Sequence, residues 1–270
     1  MDNSVDPETG LPIISLYGKN KKPTQEQLAD VGVVIFDLQD VGCRFYTYLS
    51  TLHYVMEACA ERDIPLIVLD RPNPNGRYID GPVLDTSHFR SFVGMHPVPI
   101  VYGMTIGEYA RMINGEHWLA GGRECWLFVV PMQGYCRDSV YTLPVPPSPN
   151  LRNAHAIALY PSLCLFEGTN CGVGRGTTTP FEIVTYGKDT MDLTSVAPSD
   201  SCMHLDFLLE MYRRVPKGKF FLKNNFFDRL AGTDMLRRQI VEGKTEEEIR
   251  ASWQPAIDHF KTIRQKYLIY

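Results

Sequence analysis

"VGVVIFDLQDVGCRFYTYLSTLHYVMEACAERDIPLIVL", residues 31–69, decides the fold. "VGVVIF" (31–36) and "PLIVL" (65–69) are short, continuous apolar runs rich in β-branched residues. Such runs read as parallel strands covered on both faces. Between them Leu49, Leu52, Val55, Met56 and Cys59 recur at helical spacing, so strand, helix and strand predict a βαβ crossover.

The alternation continues. "MTIGEYARMIN" predicts a helix opened by a capping box of Thr105 and Glu108. "CWLFVVPM" (125–132) reads as a third strand, and "AIALYPSLCLFEG" as a further strand or buried segment. The first half is therefore α/β, with a Rossmann-like, doubly wound and mostly parallel sheet. After "GRGTTTPFEIV" the texture changes, and residues 205–214, 235–242 and 246–267 predict helices. A second capping box (Thr245, Glu248) opens the last of these; Lys261, Arg264 and Lys266 crowd its end, as the helix dipole favours. The expected organisation is a Rossmann-like domain over 1–178 and a smaller α+β domain over 179–270.

Bulk composition excludes several classes. The 270 residues are 44% hydrophobic and 21% charged with a formal charge of −4, ordinary for a globular protein. No basic run suits nucleic acid or an anionic membrane surface, and no apolar run approaches the roughly 20 residues of a membrane span. Seven cysteines without CxxC spacing and seven scattered histidines suggest neither a zinc site nor a disulfide framework. The opening "MDNSVDPETG" lacks the apolar core of a signal peptide.

Open α/β sheets bind ligands beyond the carboxyl ends of their strands. Asp37, Asp40, Arg44, Tyr46 and Tyr48 follow the first strand. "DRPNPNG" follows the second, with Asp70, Arg71, Asn73 and Asn75. "FEGTNCGVGRGTT" adds Glu167, Thr169, Asn170, Arg175, Thr177 and Thr178 after the segment 159–166. Carboxylates, guanidiniums, amides and tyrosines in one cleft suit a hydroxyl-rich, anionic ligand such as a sugar acid. Structural roles compete with that reading. Asp37 or Asp40 equally suits the cap of the following helix, and Asp70 with Arg71 a structural ion pair. "GVGRGTT" matches a dinucleotide fingerprint only partially and lacks a phosphate-loop lysine. "LPVPPSPN" (143–150) reads as a connector by composition, with a rigid cleft wall as the alternative.

"TGLPIISLYG", "FDLQDVGCRFYTY", "VLDRPNPNG", "GPVLD", "SFVG", "YGMTIGE", "PPSPN" and "FEGTNCGVGRGTTTPFE" occur in that order, followed by "FDRLAGTDMLRRQI" and "RQKYLIY". Together they closely resemble the bacterial exo-β-N-acetylmuramidase family of NamZ type, long known only as a domain of unknown function. The resemblance implies a glycoside hydrolase that releases N-acetylmuramic acid from the non-reducing end of peptidoglycan fragments. It implies a Rossmann-like catalytic domain, a smaller C-terminal domain closing the cleft, and no metal or nicotinamide cofactor. It also implies a first strand and a "PEHG"-like motif upstream of the region matching "DPETGLP", a longer stretch where this chain has a join near residues 184–185, and histidine where this chain has Tyr102.

Glycosidases need a pair of carboxyl groups. The expected catalytic carboxylates are Asp40 and Glu167, with acid and base roles unassigned. Substrate contacts are expected from Asp37, Arg44, Tyr46, Asp70, Arg71, Asn73, Asn170, Arg175 and Thr177, with Arg175 and Arg44 ranked above Arg71 for the lactyl carboxylate. The expected partners are peptidoglycan-derived muramyl sugars, and the expected location is extracytoplasmic, in the periplasm. A non-catalytic muramyl-sugar or cell-wall binding module is the alternative, and a nucleotide-dependent enzyme rests on fold analogy alone.

Overall fold

In the computed structural model, which describes residues 3–18 and 20–270, the chain opens with a small antiparallel pair, β1 (Ser4–Val5) and β2 (Pro12–Ile13). The α/β unit follows as β3 (Val34–Phe36), α1 (Tyr48–Ala60), β4 (Leu66–Leu69), α2 (Ile106–Gly115) and β5 (Leu127–Val130). The strands pair in parallel in the order β3-β4-β5, with Val34 opposite Leu66 and Leu66 opposite Leu127. Leu49, Leu52, Val55, Met56 and Cys59 all face inward from α1, and the Thr105–Glu108 capping box opens α2.

The expectation that the sheet is covered on both faces does not hold. Side chains alternate along a strand, so Val34, Phe36, Leu66, Val68 and Val129 pack against α1 and α2. Ile35, Ile67 and Phe128 line up on the opposite face, where Ile35 is 59% and Phe128 49% exposed. Trp126 stands beside them at 60%. Both sets are apolar, and the sequence therefore shows a continuous run that hides the alternation.

"AIALYPSLCLFEG" forms no strand. It is helix α3 (Ala154–Leu163) running into a 3-10 turn, Cys164–Gly168. Asn153 caps it, its side-chain oxygen accepting from Ala156 N at 2.7 Å. Ile157, Leu159, Tyr160 and Leu163 are all buried, and the face left partly open carries Ala154, Ala158 and a single polar side chain, His155, so the polar stripe that would reveal the period is missing. A hairpin of β6 (Ile183–Tyr186) and β7 (Asp189–Asp192) turns at Gly187, whose φ of 61° suits glycine. It occupies the stretch read as a join. Helices α4 (Asp206–Arg214), α5 (Phe226–Ala231), α6 (Met235–Glu242) and α7 (Glu246–Arg264) complete the chain. The last of them stops three residues short of the expected end.

Two cores interlock. One lies between the parallel sheet, α1 and α2, and takes in Phe260 from α7. The other surrounds α3 to α7 and takes in Val41, Cys43, Phe45, Ile100 and Val101 from the first half.

Candidate active site

Four of the expected site residues are built into the framework beneath the surface. The loop after β3 turns at Gly42 (φ 79°), where an added Cβ would lie 2.1 Å from Asn73 Oδ1. That turn lets Gly42 N donate to Asp40 Oδ2 at 2.6 Å, and the Tyr102 hydroxyl donates to the same oxygen. Oδ1 of Asp40 is buried and has no hydrogen-bond partner among the described residues. Burial pushes its carboxyl up to about 6, against the pull of these hydrogen bonds.

Arg44 is 1% exposed and faces carbonyls only. Its Nη1 donates to Pro82 O at 2.8 Å and Val98 O at 2.6 Å, and its Nη2 to Leu230 O at 2.9 Å and Ala231 O at 2.7 Å. Lacking a carboxylate partner, the guanidinium is lowered by burial to about 9. Arg44 thus staples α5 to the first half.

Asp70 and Asn73 hold backbone. Asp70 accepts from Thr105 Oγ1 at 2.7 Å, Gly107 N at 2.8 Å and the Tyr270 hydroxyl at 3.0 Å, which anchors the start of α2. Around the same corner, Ile269 N donates to Glu108 Oε1 at 2.8 Å and Met132 N to the Tyr270 hydroxyl at 2.7 Å. Asn73 donates to Met104 O at 2.8 Å and accepts from Asn75 N at 2.8 Å. Arg71 does not pair its side chain with Asp70; its Nε donates to Asp37 Oδ1 at 2.6 Å, an exposed contact. Neither Asp37 nor Asp40 caps α1, which starts at Thr47 without a side-chain cap. Asn170 is spent on Lys219 O at 2.8 Å.

Three expected residues do converge. Tyr46, Glu167 and Arg175 line a cavity of about 270 Å³ with Tyr17, Asn150, Tyr160 and Phe181. Tyr46 comes from the loop before α1, and Glu167 from the 3-10 turn after α3. Arg175 sits between Gly174 and Gly176, both at positive φ. Its Nε donates to Glu167 Oε1, and its guanidinium lies 5.1 Å above the Phe181 ring. The side chain is half exposed, and no hydrogen bond engages its two Nη atoms among the described residues. The Tyr46 hydroxyl donates to Pro147 O at 2.8 Å, and burial raises its pKa well above the usual tyrosine range. Tyr46 and Phe181 each meet Tyr160 edge to face. Among the described residues Glu167 is the single carboxylate on this wall, and Asp40 is not part of the lining.

A second cavity of about 430 Å³ shares Glu167 and Arg175 and is walled by Gly172, Thr177, Ile183 and Thr185. A groove of similar size lies between α1, β3 and residues 14–28, but Ile14, Leu16, Leu28, Val34 and Val55 make it apolar, with Asp37 its lone carboxylate. Sugar hydroxyls need donors and acceptors, which favours the Glu167 side. Among the described residues no three His, Cys, Asp or Glu side chains converge on a metal position.

Sequence reasoning missed Tyr17, Asn150, Tyr160 and Phe181. The proline-rich stretch gave the available signal. Ser148 and Asn150 face the cavity and Pro147 holds Tyr46, so the segment read as a connector is a wall.

Profiles of a known family match nearly the whole chain. The N-terminal profile of the exo-β-N-acetylmuramidase NamZ matches residues 1–155, and its C-terminal profile matches 158–199 and 191–270. The chain is 36% identical to the peptidoglycan β-N-acetylmuramidase NamZ of Bacillus subtilis (strain 168), over 98% of its own length and 74% of that protein's. Two crystal structures of DUF1343 family proteins from Bacteroides fragilis NCTC 9343 are similar. One has a TM-score of 0.90 at 41% identity, covering 98% of this chain and 82% of the other. The second has a TM-score of 0.86 at 30% identity, covering 99% and 82%.

Proposed function

Since the chain belongs to the NamZ family of exo-β-N-acetylmuramidases, we propose that it is a glycoside hydrolase releasing N-acetylmuramic acid from the non-reducing end of peptidoglycan fragments. The observation that carries this reading is the Glu167–Arg175 pair on the wall of an aromatic-lined cavity. Aromatic faces pack against the apolar side of a pyranose ring. Asn150 and Ser148 offer partners for hydroxyl or acetamido groups. Arg175 has donors left over after Glu167, and these suit the lactyl carboxylate that separates a muramyl from a glucosaminyl ring.

Glu167 supplies one of the two carboxyl groups that glycoside hydrolysis requires. Held by a guanidinium, it presents a carboxylate to the positive charge that develops at the anomeric carbon, or to an attacking water. A bacterial, periplasmic role in cell-wall turnover follows from such a substrate, since peptidoglycan lies outside the cytoplasmic membrane.

Incubation with a muramyl–glucosamine disaccharide tests the reading: free N-acetylmuramic acid is the expected product. Tight binding without release would make the chain a binding module, and absence of both binding and release would remove the sugar reading.

A further inference from the structure

The Glu167–Arg175 pair lines both cavities and thereby forms the partition between them. The two spaces differ in kind. The Tyr46 cavity is closed by segments far apart in the chain, including Phe45, Tyr160, Phe181 and Leu230, all buried. Walls from so many elements make it the more enclosed, or blind, of the two spaces. The second cavity is shaped by residues 167–185 alone, with Gly172, Arg175 and Thr177 exposed along it. Gly172 pairs with Thr185 backbone to backbone at 2.8 and 2.9 Å. A Cβ at Gly172 would lie 2.7 Å from Thr185 Oγ1, so the missing side chain leaves that hydroxyl uncovered.

We infer that the two cavities are consecutive sugar subsites, with the terminal muramyl ring in the blind Tyr46 cavity and the next sugar in the open cavity beside Thr185. This order rests on the hydrolase reading above. An enzyme acting from a chain end needs one closed space for the terminal ring and one open space for the remaining glycan. The glycosidic bond then crosses the partition, beside the carboxylate of Glu167. Arg175, reaching both spaces, grips the terminal ring's carboxylate from the partition side.

Calorimetry on the intact chain tests the order, using free N-acetylmuramic acid and a sulfur-linked, non-hydrolysable muramyl–glucosamine disaccharide. Thr185→Val keeps the strand-favouring shape and removes the hydroxyl. It is expected to weaken the disaccharide roughly three- to tenfold and to leave the monosaccharide unchanged. Tyr17→Ala, at a residue 80% exposed on the rim of the blind cavity, is expected to weaken both ligands by a similar factor. Equal weakening of both sugars by Thr185→Val, or no effect on either, overturns the order while leaving the hydrolase reading intact. If neither sugar binds the wild-type chain and no muramyl substrate is cleaved, the hydrolase reading falls and takes the order with it.

Discussion

The Tyr102 hydroxyl donates to one oxygen of Asp40, while the other oxygen of that carboxylate is buried and has no donor among the described residues. A half-satisfied buried carboxylate is stabler protonated. Its folded value, about 6, stands above the ordinary 3.8 of an aspartate in water. Stability from this group is complete below 3.8 and is lost as pH rises through 6, on the order of 3 kcal/mol in all. Asp40→Asn should match the wild type near pH 4 and exceed it near pH 7.5 in urea midpoint. Parallel curves for the two proteins would show that Asp40 is already charged at no cost.

His53 works in the opposite sense. Its Nδ1 lies 2.9 Å from His96 Nε2, and His96 Nδ1 lies 3.0 Å from the Tyr109 hydroxyl. Burial lowers His53 to about 4 from an ordinary 6.5. Stability is therefore present above 6.5 and lost as pH falls toward 4, on the order of 3 kcal/mol. His53→Gln should flatten the pH dependence of the unfolding midpoint between pH 6.5 and 4.5. An unchanged slope would place the acid-sensitive group elsewhere.

Arg44→Lys should destabilise the fold by about 3 kcal/mol, because an ammonium cannot span carbonyls on both sides of its site as the guanidinium fork does. Gly232→Ala should act in the same direction. Gly232 has φ 78°, and a Cβ there would lie 2.7 Å from Arg44 Nη2. Thermal unfolding measures both. A lysine variant as stable as the wild type would mean that the four carbonyls find other donors.

Glu167→Gln should lower kcat about a hundredfold or more with little change in KM, the pattern of a group acting in the transition state. Arg175→Lys should weaken muramyl substrates roughly tenfold to a hundredfold more than lactyl-free glucosaminides. Equal losses on the two substrate types would make Arg175 a support for Glu167 and nothing more.

Phe128→Lys on the bare face of the sheet should shift stability by less than about 0.5 kcal/mol and reduce concentration-dependent association. Acrylamide should quench Trp126 readily in the wild type, given its exposure. Strong protection of Trp126 in dilute protein would show that something already covers this face.

The α/β half was legible because β3, β4 and β5 are short β-branched apolar runs, α1 keeps its apolar residues at helical spacing, and both capping boxes are local signals. Helix α3 was not, since Ile157, Leu159, Tyr160 and Leu163 are buried and its more open face is mostly alanine, which erases the pattern. Of the polar residues expected in one cleft, Tyr46, Glu167 and Arg175 meet at one cavity and the others do not; their chemistry alone did not separate them in the sequence. Asp40, Arg44, Asp70 and Asn73 carry the same groups as Glu167 and Arg175, yet turn them onto backbone amides and carbonyls. Which way such a side chain points depends on contacts 30 to 200 positions away, as from Asn73 to Met104 or from Asp70 to Tyr270. No local pattern records that.

The Asp70–Tyr270 contact bears on how the chain folds. It joins positions 200 apart, and the neighbouring bond from Ile269 to Glu108 spans 161. Until these partners dock, one carboxylate of the corner lacks its tyrosine and another its backbone donors. Closing a loop of that length costs chain entropy before the contact returns any energy, so the corner around α2 should form late, after the local strand and helix pairings.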